Sequence, residues 1–167
     1  PIAGTEQSGV DASFATLYEG RRVIVTPTSH TSASAVSKVV EMWEAAGAAC
    51  ETMDAEHHDD VLAATSHLPH LLAYNLVDVL GAMEERREMF RFAAGGFRDF
   101  TRIASSDPVM WHDICVANRD AILAALRHFR RDLTELEEAV ERGDSDVLME
   151  TFVRAKGLRD RYTERES

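Results

Sequence analysis

The chain has 167 residues, of which 45% are hydrophobic, and its 18 Lys and Arg against 29 Asp and Glu give a formal net charge of −11. This length allows one good hydrophobic core, or a main domain with a small appendage. The acidic balance argues against nucleic acid or an anionic membrane as a partner, because both require a basic surface. No apolar run reaches the roughly 18 to 20 residues of a membrane span, and two cysteines without metal-ligand spacing predict a cytoplasmic protein.

The first third of the chain alternates predicted strands and helices. A β-branched run stopped by Pro27 predicts a buried strand, Gly47 is placed as a helix stop and Asp54 as a helix N-cap. In order, the elements are a strand over residues 23–26, a helix over 32–46, a strand over 49–53 and a helix over 54–68. This order is that of the last edge of an α/β sheet. Together with the start at Pro1 rather than Met, it predicts a piece of a longer protein.

Beyond residue 54 the sequence predicts helices and no strand. Pro69 is placed either to kink a helix or to open a new one, and the charged residues 84–88 predict a solvated connection. The remaining helices are expected over residues 71–83 and, after the cap Asp107, over residues 108–116. A long helix should then end near Gly143, and a final helix should begin after the cap Asp144.

Apolar residues on the long helix before Gly143 repeat at spacings of four and three, which is a heptad pattern. They are Ile122, Leu126, Phe129, Leu133, Leu136 and Val140. Such a stripe packs inside a helical bundle in one interpretation, and against the same helix of a second copy in the other. The sequence favours neither interpretation over the other.

Histidines and carboxylates cluster at residues 56–60, and His67 and His70 follow. Metal centres of helical phosphohydrolases use such residues, but this spacing matches no recognised ligand motif. Adjacent histidines on a helix also point about 100° apart. We therefore predict no metal ligand here, and expect His58 and Asp59 to form a hydrogen-bonded pair.

Two short segments, Ser66–His70 and Gly95–Arg102, gather imidazoles, a carboxylate and a guanidinium among apolar neighbours. Side chains of this kind near a core require partners or a ligand. A helix start at Pro69 would point side chains into a cleft. The apolar surroundings of Asp99 and Arg102 predict partial burial, and a guanidinium so placed can bind a carboxylate through two hydrogen bonds. We interpret the two segments as a candidate substrate site.

Six segments occur in the order of a known family and at similar spacing. They are Pro1–Gly9, Thr26-Pro27, His58-Asp59, Ser66–His70, Gly95–Ala104 and Ser106–Trp111. With them the chain, from Pro1 to about Val140, resembles the prephenate dehydrogenase family. Each motif alone is weakly specific, but six in order are strongly specific.

The resemblance implies an NAD(P)-binding Rossmann domain joined to a helical domain that forms a homodimer, with the active site between them. It implies oxidative decarboxylation of prephenate to 4-hydroxyphenylpyruvate, or of arogenate to tyrosine, with hydride transfer to NAD or NADP. L-Tyrosine is the inhibitor that this pathway implies. The expected fold class is mainly α: residues 55–167 form a helical substrate-binding and dimerisation domain. Residues 1–54 form a short α/β remnant of about two strands from the nucleotide-binding sheet.

The resemblance also implies roles for seven residues. Arg102 matches the arginine that binds a substrate carboxylate, and His70 matches the histidine near the substrate side chain. Glu6 and Asp99 match acidic groups that can pair with the arginine and gate the cleft. Three further positions line the same pocket: Thr5, His67 and Trp111.

Two features of the family are missing from this sequence. No Gly-x-Gly-x-x-Gly follows a strand, so a phosphate-binding turn is absent, and the catalytic histidine of the family would precede Pro1. We therefore expect no catalytic residue within the chain, which alone would be inactive and bind NAD weakly or not at all. Two alternatives stay open: a tyrosine-binding regulatory module, and a metal-dependent helical phosphohydrolase that uses His58 and Asp59.

Overall fold

The computed structural model describes residues 1–3, 9–83 and 86–164. Its strands and α-helices, in chain order, are β1 (Arg22–Val25), α1 (Ala33–Ala45), β2 (Ala49–Thr52), α2 (Ala55–Leu62), α3 (Leu68–Ala82), α4 (Arg86–Arg91), α5 (Gly95–Thr101), α6 (Pro108–Ala117), α7 (Arg119–Arg142) and α8 (Ser145–Glu164). A π-helical segment, Ala63–His67, joins α2 to α3, and 3-10 turns occupy Val10–Ala12 and Arg102–Ser105. The predicted fold class, mainly α with two strands, is confirmed. Contacts group the chain into two units, Pro1–Leu123 and Ala124–Ser167.

The two strands pair in parallel, with Arg22 opposite Ala49 and Val25 opposite Thr52. Parallel strands need a crossover connection, which α1 supplies by packing against both strands. The exposed fraction of Val23, in the middle of β1, is 2%, as expected for a β-branched residue on a covered sheet face. Gly47 ends α1 at φ 86°, a conformation that favours glycine. The strand–helix–strand order predicted from the sequence is therefore confirmed.

Side-chain caps begin four of the helices. Ser32 accepts a backbone N–H bond at the start of α1. Asp54 and Asp107 each accept two, from the second and third residues of α2 and α6. Asp144 accepts the N–H of Val147 at 3.2 Å in the first turn of α8. Each cap satisfies a donor that the first turn of a helix leaves without an intrahelical partner.

The structure has a helix, α4, where the sequence predicts a connecting segment. The charged stretch 84–88 was expected to be a solvated link, but the described part of it from Arg86 belongs to α4. Arginine, glutamate and methionine are strong helix formers, so a charged surface helix forms without an apolar stripe to mark it. Pro69 lies in the first turn of α3, where its missing N–H is not needed.

The unit that begins at Ala124 contains the rest of α7 and all of α8. The predicted long helix is confirmed, and Gly143 ends it at φ 64° with Asp144 N–H donating to Ala139 O at 2.9 Å. Large apolar side chains are exposed in this unit: Leu133, Val140, Val147, Met149, Phe152, Val153, Leu158 and Tyr162. In the described part of the chain, no helix is long and apolar enough to cross a membrane.

Candidate functional site

The candidate site begins at the π-helical segment between α2 and α3. Its last residue is His67, whose exposed fraction is 8%. Among the described residues, His67 is the buried residue with a polar side chain. A π segment carries one residue more than the α-helical turn it replaces, and such segments occur often at functional sites. The segment therefore places a titratable ring inside the first unit, where burial requires a hydrogen-bonding partner.

Asn118 supplies that partner from the junction of α6 and α7. Its Nδ2 atom lies 2.8 Å from the backbone oxygen of Asp59 and 3.2 Å from His67 Nδ1. One amide group thereby joins α2, the π segment and the end of α6. The sequence analysis did not identify Asn118, although an asparagine between two helices is a typical helix-terminating residue.

His70 lies on α3, one turn after His67. Its Nδ1 is 2.8 Å from the Ser66 carbonyl oxygen, and its ring stacks on Trp111 with centroids 3.7 Å apart and planes 20° apart. His67 meets the same indole edge-on, with centroids at 6.1 Å and an angle of 75°. The structure thus brings together three residues that the resemblance places in one pocket.

Trp111 is 8% exposed, and its Nε1 atom is buried without a hydrogen-bond partner in the described part of the chain. A buried N–H without an acceptor costs about 1–3 kcal/mol. The indole was expected either to line the pocket or to serve only as core. The structure places this unsatisfied donor on the ring that contacts both imidazoles, and the role of Trp111 in the pocket stays a prediction.

Both imidazoles favour the neutral form. Burial lowers the pKa of His67, the nearby His58 and His70 lower it further, and Asp59 opposes the shift. Burial also lowers the pKa of His70, against the opposing effect of its bond to the Ser66 carbonyl. At neutral pH these two rings therefore act as hydrogen-bonding groups rather than as cations.

Arg102 opens the 3-10 turn that follows α5, and Asp99 lies on α5 itself; both are exposed. The expectation of partial burial is therefore wrong for this chain. A helix of seven residues is too short to cover them, and Phe100 is itself exposed. The turn nevertheless packs against α3, and the Tyr74 hydroxyl of α3 donates to Ser106 O at 2.5 Å.

His58 and Asp59 form the expected pair, with Nδ1 and Oδ1 2.9 Å apart. Among the described residues, no group of three or more His, Cys, Asp and Glu side chains is arranged to hold a metal ion. Neither strand is followed by a glycine-rich turn, so these residues do not fit the pyrophosphate of a dinucleotide. Thr5 and Glu6 lie outside the described residues.

An open groove of about 680 Å³ lies between the start of α2 and the α6–α7 junction. Its charged lining is mostly acidic: Glu56, Asp59, Asp60, Asp120 and Arg119. It shares Asn118 with the imidazole cluster but not His67, His70 or Trp111. Four carboxylates against one guanidinium repel an anionic ligand, so the groove is not the candidate substrate site.

Sequence comparison assigns both parts of the chain to one family. The family model described as "Prephenate dehydrogenase, dimerization domain" matches residues 54–154, and "Prephenate dehydrogenase, nucleotide-binding domain" matches residues 1–52. The chain belongs to the prephenate dehydrogenase family. The resemblance inferred from six motifs is confirmed, and neither the phosphohydrolase nor the regulatory alternative is supported.

Relatives of this family align with nearly the whole chain. A cyclohexadienyl dehydrogenase of Zymomonas mobilis is 45% identical over 161 residues, which are 95% of this chain and 55% of that protein. A prephenate dehydrogenase of Bacillus subtilis is 39% identical, over 96% of this chain and 43% of its own length. The chain spans about half the length of the curated relatives it matches.

A solved structure of the prephenate dehydrogenase family shows the same fold. The crystal structure of prephenate dehydrogenase from A. aeolicus, in complex with hydroxyphenyl propionate and NAD+, is 42% identical, with a TM-score of 0.90. The match covers 97% of this chain and 57% of that one. The fold described above is therefore that of a little more than half of this solved family member.

Proposed function

We propose that the chain is the substrate-binding and dimerisation part of a dehydrogenase that oxidatively decarboxylates prephenate, or arogenate, in tyrosine biosynthesis. The observation that carries this proposal is the cluster of His67, His70 and Trp111, with its buried unsatisfied N–H, inside a chain of this family. A planar aromatic wall and neutral hydrogen-bonding groups suit a six-membered ring that carries a hydroxyl and carboxylates.

Arg102 supplies the positive charge that an anionic substrate requires. The turn that carries it packs against α3, the helix of His70, so substrate held between them would contact both elements. A guanidinium matches the two oxygens of a carboxylate in one plane. Asp99, in the preceding turn, and Glu6 are the acidic groups that we propose to gate access to the arginine, and Thr5 is proposed to line the pocket.

The remaining machinery lies in the part of the relatives that this chain does not span. The proposed hydride acceptor is NAD or NADP, bound mainly by the rest of the nucleotide-binding domain, and the catalytic histidine is proposed to precede Pro1. Residues 1–54 would be the edge of that domain, and residues 55–167 the helical domain. The isolated chain is accordingly proposed to be inactive.

A homodimer accounts for the exposed apolar side chains of α7 and α8. A surface that leaves Phe152, Val140 and Leu133 in water is typical of a protein–protein contact, and the matching family model describes a dimerization domain. We further propose L-tyrosine as an inhibitor that competes for the substrate pocket, and the cytoplasm as the location.

The test is NADH or NADPH formation from prephenate by the protein expressed from its complete reading frame. Arg102 is exposed in the isolated chain, and we propose that bound substrate and the rest of the nucleotide-binding domain would remove its ion pair from water. Arg102→Ala is then expected to lower kcat/KM on the order of 30- to 5000-fold, because truncating one partner of such a pair costs about 2–5 kcal/mol. The matched control is Arg98→Ala, which removes an exposed arginine of α5, four residues before Arg102, and should leave the rate nearly unchanged.

Two outcomes would contradict the proposal. Folded protein with bound cofactor that turns over neither prephenate nor arogenate would exclude the dehydrogenase activity. Equal losses in the Arg102→Ala and Arg98→Ala variants would show that positive charge in general, rather than a contact from Arg102, supports the reaction.

A further inference from the structure

Each imidazole of the cluster has its Nδ1 atom next to a group whose hydrogen-bonding character is fixed. For His70 that group is the Ser66 carbonyl oxygen, at 2.8 Å. A carbonyl oxygen only accepts hydrogen bonds, so His70 Nδ1 must carry the proton. When the ring is neutral, His70 Nε2 is then left with a lone pair.

The opposite holds for His67. The Asp59 carbonyl oxygen also only accepts, so the Asn118 amide must turn its NH2 group, not its oxygen, toward it. The same Nδ2 atom is 3.2 Å from His67 Nδ1, and an amide nitrogen has no lone pair to offer. His67 Nδ1 must therefore accept, which places the proton of the neutral ring on Nε2.

We propose that Asn118 and the Ser66 carbonyl hold the two imidazoles in opposite tautomers, with N–H at His67 Nε2 and a lone pair at His70 Nε2. Asn118 is in this role a positioning residue. The pair offers a ligand one donor and one acceptor on two rings that both contact the indole ring of Trp111. Two freely rotating histidines would lack this directional pattern.

One further observation and two consequences of the geometry support this assignment. His67 is buried, so water does not compete strongly for its nitrogens. The Asn118 amide uses both of its hydrogens, one on each acceptor, which fixes the amide as well as the ring. Protonation of His67 would set an Nδ1–H against the amide N–H, so Asn118 also keeps the ring neutral, in line with its lowered pKa.

The experiment is long-range ¹H–¹⁵N correlation NMR on the 167-residue chain labelled in its histidine rings, with His67→Gln and His70→Gln used for assignment. Above the pKa of both rings, we expect His67 to show an unprotonated Nδ1 and a protonated Nε2. His70 should show the reverse pattern. Finding the same tautomer in both rings, or the two patterns exchanged, would overturn the proposal.

Asn118→Asp then replaces the donor by an acceptor of the same shape. We expect the proton of the neutral His67 ring to move to Nδ1 and the pKa of that ring to rise. The tautomer of His70 should not change. Asn75→Asp, the same change at an exposed position of α3, should change the tautomer of neither ring.

If Asn118→Asp does not fold, Asn118→Ala provides the measurement, and His67 should populate both tautomers. An unchanged His67 in a folded Asn118 variant would show that Asn118 does not set the tautomer. These readouts need no turnover, so their failure would leave the proposed dehydrogenase activity untouched.

Discussion

Residues 55–118 and residues 124–164 depart from the usual distribution of polarity in opposite directions. The first region buries an imidazole and an unsatisfied indole N–H in the cluster around Trp111. The second leaves Leu133 49% and Val140 63% exposed on a helix whose apolar residues repeat in heptads. Both arrangements cost free energy in the isolated chain, because buried polar groups need partners and exposed apolar groups order water.

The difference supports the separate proposals made for the two regions. A few polar groups of fixed direction among aromatic rings are typical of a small-molecule site, where hydrogen bonds select the ligand. A long apolar stripe without directional groups is typical of an interface between chains. Substitutions can therefore test the two regions separately: one set should change oligomeric state, and the other should change ligand binding and pH dependence.

The largest change in oligomeric state is expected for Leu133→Glu in the heptad stripe of α7. If the stripe is the homodimer contact, a carboxylate there would be buried without a partner, and the dissociation constant should rise on the order of 100-fold or more. Light scattering on protein fractionated at several concentrations measures the molar mass. The control Thr134→Glu adds the same charge at the adjacent exposed position. A Leu133→Glu protein that stays dimeric on dilution as well as the control would exclude this stripe from the interface.

Trp111 offers a second test, of stability, within the buried cluster. Trp111→Ala should lower the free energy of unfolding by about 3–5 kcal/mol, because it opens a cavity against both imidazoles. Trp111→Phe keeps an aromatic ring beside His70 and removes the unsatisfied N–H. The free energy of unfolding should therefore fall by about 1 kcal/mol or less. Thermal unfolding measures both.

The phenylalanine variant also separates stability from binding. If the indole N–H binds substrate, Trp111→Phe in the full-length protein should raise the KM for prephenate about tenfold, the equivalent of one hydrogen bond of about 1.4 kcal/mol. An unchanged KM would instead mean that Trp111 serves only as core.

The smallest effect is a pH dependence that belongs to the buried region. Folding lowers the pKa of His67 and His70 from the ordinary value of 6.5, so the unfolded chain binds more protons than the folded chain below that pH. The free energy of unfolding should therefore fall as the pH drops from about 6.5 toward the lowered values, and then level off. Urea unfolding between pH 7.5 and 4.5, about one unit above and two units below a histidine's reference pKa, measures how the free energy of unfolding changes with pH.

His67→Gln should make this pH dependence weaker. The control His112→Gln, at an exposed histidine, should leave it unchanged. Equal pH dependence in the unsubstituted protein and both variants would contradict the assignment.

The local features of the fold were predictable from the sequence. Capping by Asp54 and Asp107, the stop at Gly47 and the two short strands each depend on residues within a few positions of one another. Such interactions are encoded in short segments, so their residue types and spacing are sufficient to identify them. The charged helix α4 was missed because it lacks the apolar periodicity on which helix prediction depends.

The site was predictable only in part. Its aromatic and imidazole members were identified, but their stacking depends on α6 packing against a helix about 40 positions earlier in the chain. Asn118 was missed because its two partners, Asp59 and His67, are 59 and 51 residues away. The burial of Arg102 was overestimated because apolar neighbours in sequence do not cover a side chain on a short helix. Contacts between distant segments leave no local pattern to recognise.

The π-helical segment has a consequence for how the chain tolerates changes in length. An α-helix turns by about 100° per residue, so removing one residue from Ala63–His67 would convert the wide turn to an ordinary one and rotate α3 by about that angle relative to α2. His70 would then leave the face that meets Trp111, although no residue of α3 had been altered. The number of residues in this stretch, more than their identity, sets the angular phase of the helix that carries the site.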